Sequence, residues 1–196
     1  YDDIRHSFPH NLVARNARSW ILAALHRYEE ALADLPTKDL NSIEDWIGFH
    51  IRGMILLRMG RVSEALDIFE QGVISNPWVA DREVFRTALS VAWMRQQEYS
   101  KAAEVLNEVA SPTLQPQIDL LRIRSYGEIQ QFDNARMAYE RVSTNPLPGA
   151  TDLTEELNCR YVARTGAQHD DDWVLDQEIN LLLAANQIIT SSLYAY

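Results

Sequence analysis

Residues 46–77 read WIGFHIRGMILLRMGRVSEALDIFEQGVISNP. Apolar residues fall at Phe49, Ile51, Ile55 and Leu56 in the first half, and at Val62, Ala65, Leu66, Ile68, Phe69 and Val73 in the second. Each half follows a helical period with one dominant apolar face. Met59-Gly60-Arg61 separates them, and Gly60 can take the left-handed conformation that ends one helix and starts the next. Gly53 and Ala65 are small where the two helices face each other, which predicts a close backbone approach. Pro77 stops the second helix. The stretch is therefore a helical hairpin. A hairpin of this kind cannot bury its apolar face alone, so similar neighbours are expected.

The small residue of the second helix finds those neighbours. It recurs as Ala31, Ala65, Ala102 and Ala135, at spacings of 34, 37 and 33. Three residues before each stands a large residue, Tyr28, Val62, Tyr99 or Phe132, and four after stands Leu35, Phe69, Leu106 or Tyr139. Nine before come Leu22, Leu56, Trp93 and Tyr126; twelve before come Ser19, Gly53, Ser90 and Ile123. This pattern resembles the tetratricopeptide repeat family over residues 11–147, most closely over 46–147, and fits ankyrin repeats far less well.

The resemblance implies an all-α fold, a right-handed α-solenoid of tetratricopeptide-like hairpins at 11–45, 46–79, 82–115 and 116–149. Residues 1–10 would be an N-terminal extension. Residues 150–196 would be a degenerate fifth hairpin or capping helix pair, with helices over 152–164 and 173–189 and a tail from Thr190. Gln97 and Gln130 stand where the family has a turn glycine, which predicts strained turns. Ile123 replaces a small residue, which predicts a splayed fourth hairpin. Pro36 shortens the second helix of the first hairpin, and Asn41 or Ser42 is the expected N-cap of the next. The Pro/Gly-rich stretch Ser143–Thr151 is the expected sub-boundary.

The chain of 196 residues carries a formal net charge of −10. That charge argues against a general nucleic-acid binder, which must neutralise phosphates, and against docking on an anionic membrane. A single cysteine, Cys159, excludes an internal disulfide. No run of 18 apolar residues exists, so no membrane insertion is expected. The start, Tyr1-Asp2-Asp3-Ile4, lacks the basic and apolar regions of a signal peptide and lacks an initiator Met. A cytoplasmic piece of a longer protein is the expectation.

No phosphate-binding, zinc-binding or nucleophile-elbow motif occurs, so neither an enzyme nor a cofactor is expected. His169 with Asp170, Asp171 and Asp172 reads as a helix N-terminus, with an oxygen-rich metal site as the alternative. Cys159 reads as a small helix-facing residue rather than a nucleophile. Trp20, Trp46, Trp93 and Trp173 fall on apolar faces, and Trp78 after Pro77 is expected to be partly exposed.

In the family the first helices of the hairpins line a concave surface. By that register the resemblance places His50, Met54, Leu57, Arg58, Thr87, Val91, Met94, Arg95, Leu120 and Arg124 in a peptide-binding groove. Asn16, Trp20, Ala23 and Glu128 extend it. An arginine row beside apolar and Met residues would suit a protein or peptide partner carrying acidic groups and an apolar anchor. The alternative is that Arg58, Arg95 and Arg124 pair with carboxylates of the same scaffold. The Lys/Asn clamp with which some members grip a chaperone's C-terminus is missing. The hairpin at 44–72 is also similar to the C-terminal repeats of bacterial signalling NTPases, implying a sensor or interaction module of a larger protein. A free-standing adaptor for an envelope or secretion assembly is the second reading, and a helical hydrolase or metalloenzyme the third.

Overall fold

The computed structural model describes residues 12–110 and 112–180. Among these residues there are helices and turns and no strand, so the fold class is all-α. The expected N-terminal extension, the tail from Thr190 and the end of the last helix near Ile189 lie outside the described residues. No helix of the described residues is long and apolar enough to cross a membrane.

Four helix pairs follow one another: α1 (Leu12–Ala24) and α2 (Tyr28–Asp34), α3 (Ile43–Arg58) and α4 (Val62–Ser75), α5 (Val79–Arg95) and α6 (Tyr99–Asn107), and α7 (Gln115–Glu128) and α8 (Phe132–Thr144). Next comes α9 (Thr151–Leu157), which runs into a π-helical turn over Asn158–Val162. α10 starts at residue 171 and is described to residue 180. The second helix of every pair starts on the large residue of the repeat, Tyr28, Val62, Tyr99 or Phe132.

All four turns share one backbone design. His26, Gly60, Gln97 and Gln130 have φ of 59°, 77°, 63° and 61°. The residue after each donates its N–H to the carbonyl five back: Arg27 to Leu22, Arg61 to Leu56 and Glu98 to Trp93, all at 2.9 Å, and Gln131 to Tyr126 at 2.8 Å. The left-handed residue itself donates to the carbonyl three back, on Ala23, Leu57, Met94 or Gly127. This double closure is the Schellman motif, which satisfies the orphan carbonyls of a helix end. Gln97 and Gln130 thus occupy the strained turn positions expected of them, and His26 is a third. Five residues after each turn residue stand Ala31, Ala65, Ala102 and Ala135, all at 0% exposure.

The chain divides into two compact units, residues 1–79 and 80–196. In the first, α3 is the central helix. It packs on α4, α1 and α2, and ten of its sixteen residues are buried. Ser42 starts it in a reciprocal capping box with Asp45. A Cβ on Gly53 would lie 2.4 Å from the Phe69 ring and 3.0 Å from Ile68 Cγ2, so glycine is what lets α4 come this close. Arg52 donates to the Leu32 carbonyl at 2.9 Å and so closes the end of α2.

In the second unit α7 is central, packed on α6, α8, α9 and the π-helical turn. Ile123 is fully buried in a core with Ala135, Ala138, Val142, Leu153, Leu157 and Tyr161. The isoleucine is accommodated there and α7 stays packed on α8. Because Leu153 and Leu157 belong to that core, the loop at 143–151 lies inside the unit, and the division falls after residue 79. Arg122 repeats the device of Arg52, donating to the Leu106 carbonyl at 2.9 Å.

Candidate functional site

The residues expected to line a groove are mostly interior. His50, Met54 and Leu57 of α3 are at most 1% exposed. Thr87, Val91 and Met94 of α5 and Leu120 and Arg124 of α7 are buried as well. Arg58 is half-buried and Arg95 exposed. The expectation of one open surface through all ten is corrected for these eight. The physical reason in the first unit is that α3 is packed on several sides, so its polar His50 sits inward beside the Phe69 ring. Arg58 lies over the Trp20 ring, 5.8 Å from its centroid. Of the other tryptophans, Trp46 is buried, Trp93 lies beneath Lys101, and Trp78 is 37% exposed.

In the second unit the arginines of α5 and α7 each hold a carboxylate of α10. Arg95 Nη1 donates to Asp172 at 2.8 Å. Arg124 Nη1 donates to Glu178 at 2.7 Å, and this pair is buried on both sides. Burial pushes the Glu178 carboxyl up, against the pull of Arg124. Burial is the largest single effect on Arg124 and opposes its charge too, but Glu178 together with Tyr161, Tyr99 and Asp171 outweighs it, so the guanidinium stays protonated. Between the two carboxylates Val174 and Leu175 are buried, and Ile179 follows. Val174 shares the core with Leu120 and Ile123. Two members of the arginine row, Arg95 and Arg124, therefore pair within the scaffold, as the alternative sequence reading has it. The sequence signal for the partner was Glu178 itself, an acid set between Leu175 and Ile179 in an apolar helix.

A second polar cluster fixes the segment before α10. Glu156 accepts from Arg160 Nε at 2.5 Å, from the Gln168 and His169 amides, and meets His169 Nδ1 at 3.0 Å. Burial raises the Glu156 carboxyl, but Arg160, His169 and the two amides outweigh it and hold it at about 2. The His169 ring stacks on Trp173 at 3.9 Å, and Asp170 accepts from the Trp173 amide at 2.8 Å. His169 and Asp170 thus act at the start of a helix. Cys159 is half-buried on the π-helical turn, where its Sγ accepts from Gln168 Nε2 at 3.4 Å. Tyr161 donates to Glu128 at 2.6 Å; burial and that bond raise its pKa.

Comparisons with protein-family models, with curated proteins and with solved structures gave no match.

Proposed function

We propose that the chain is a non-catalytic protein- or peptide-binding scaffold, an interaction or sensor module of a larger protein, whose hairpins stack as tetratricopeptide-like repeats in a right-handed solenoid. The four identical Schellman turns and the four buried alanines support the repeat reading. One observation carries the binding reading. Arg95 and Arg124, from two different helices, grip two carboxylates of a single helix around buried apolar anchors. Asp172 and Glu178 are six residues apart, about 9 Å along a helix axis. In this reading α10 occupies in cis the kind of surface that takes an acidic amphipathic helix from a partner. Arginine supplies orientation and salt sensitivity, and apolar burial supplies most of the affinity.

Asp172 is 80% exposed in its side chain, so Asp172→Asn leaves the core untouched while freeing Arg95. Fluorescence anisotropy of the whole chain with acidic amphipathic helical peptides should show binding that Asp172→Asn tightens. Arg95→Glu should weaken it at least tenfold with little change in melting temperature. Peptides that fail to bind, or that bind wild type and the Arg95→Glu variant equally, would end this reading.

A further inference from the structure

We propose that a cleft in the second unit is a binding site for a carboxylate attached to a small apolar group. The cleft has a volume of about 280 Å³ and is lined by Asn107, Arg122, Tyr126, Asn134, Met137 and Arg141. Ligand pockets run from roughly 300 to 1,000 Å³, so this one suits a single residue or a small acid.

Its charge is set by Asp119, which is 1% exposed. Arg141 forks onto that carboxylate through Nε at 2.9 Å and Nη2 at 2.7 Å. Arg122 Nη1 reaches it at 3.2 Å, and Arg122 Nη2 is taken by the Leu106 carbonyl. Two guanidinium groups therefore share one carboxylate, which leaves one positive charge in a chain of net charge −10. Two acids on the bordering elements are turned to other cations, Glu108 to Arg86 at 3.5 Å and Asp133 to Arg136 at 3.8 Å. The side chain of Arg141 is 48% exposed, and its Nη1 is not used in the fork.

Asn107 adds a donor to the lining. Asn107 Oδ1 accepts from the Tyr126 hydroxyl at 2.7 Å, which leaves the Asn107 amide nitrogen as a donor. A guanidinium edge with an amide donor matches the two oxygens of a carboxylate. Met137 is 50% exposed and forms an adaptable apolar shoulder for one small group. The ligand is a chain's terminal residue with its free carboxylate, or a small free acid of the same chemistry. Neither Arg95 nor Arg124 takes part, so this site stands or falls independently of the helix-binding reading.

The test is an NMR titration of the whole chain with N-acetyl-leucine, its amide and inorganic phosphate. The acid should bind with a Kd of about a millimolar, as expected for a ligand this small, and the amide at least tenfold more weakly. Arg141→Gln should abolish binding. Met137→Glu should do the same without touching the Asp119 bonds, and its melting temperature should match wild type. A peptide ending in leucine that binds more tightly than N-acetyl-leucine assigns the site to a chain terminus; equal binding assigns it to a free acid. The proposal is overturned by equal binding of acid and amide, by an unchanged Kd in a folded Met137→Glu variant, by phosphate displacing the acid at lower concentration, or by no binding at all.

Discussion

His50 lies inside α3 with its ring 5.8 Å from that of Phe69, and burial lowers its pKa to about 3. The unfolded chain protonates the same ring near 6.5. Between those two values the unfolded state binds more protons than the folded one. Stability is therefore complete above about pH 6.5 and falls as the pH drops toward 3, by up to about 1.4 kcal/mol per unit. Glu156, held at about 2, loses its contribution lower down, as the pH falls from about 4.5. Urea unfolding at pH 7 and pH 5 should thus report His50, and the loss between them should shrink in His50→Leu. An equal loss in both proteins would assign the pH dependence to another group. Gln97, at φ 63°, gives a second prediction. A left-handed non-glycine residue costs roughly 1–2 kcal/mol, and glycine returns about 0.5–1 in chain entropy. Gln97→Gly should then stabilise by roughly 0.5–1 kcal/mol in thermal unfolding; a lowered melting temperature would contradict the strain argument.

Among the elements, α10 docks through a buried charge pair, Arg124 with Glu178. Arg124→Ala leaves Glu178 uncompensated and should cost about 3–5 kcal/mol. Arg124→Met combined with Glu178→Leu removes both charges and should recover most of that loss or exceed wild type. Chemical denaturation of the three proteins decides it; a double variant as unstable as the single would mean that packing cannot replace the pair. The hairpins themselves were legible because their period, large–Ala–large spacing and turn positions are local signals. The side that each first helix presents was not. α3 and α7 are packed on several sides, so periodicity marks residues as apolar without telling one buried face from another. His50, Thr87 and Arg124 looked like surface letters and are buried polar groups. The π-helical turn at Asn158–Val162 has no signal in the apolar pattern, since it adds a residue to a turn and leaves the composition unchanged.

At the scale of the whole molecule, the division after residue 79 separates two sets of contacts, and the second unit has a core of its own, from Leu120 to Val174. A fragment of residues 80–196 should therefore fold alone, with a helical circular dichroism spectrum and a cooperative melt; a disordered fragment would refute this. The legible part of this organisation was the recurrence of hairpins. The place of the division was not legible, because the Pro/Gly-rich loop at 143–151 looks like a boundary while the helix after it returns to the core of α7 and α8. The four turns have a further consequence, for how such a chain changes over evolutionary time. Each is closed by main-chain hydrogen bonds, and the turn residue is His, Gly, Gln or Gln, always exposed. Selection there acts on one dihedral angle and hardly on the letter. Neutral drift can erase the likeness between hairpins while their geometry persists, so the ancestry of such a chain is better counted in backbone torsions than in residue identities.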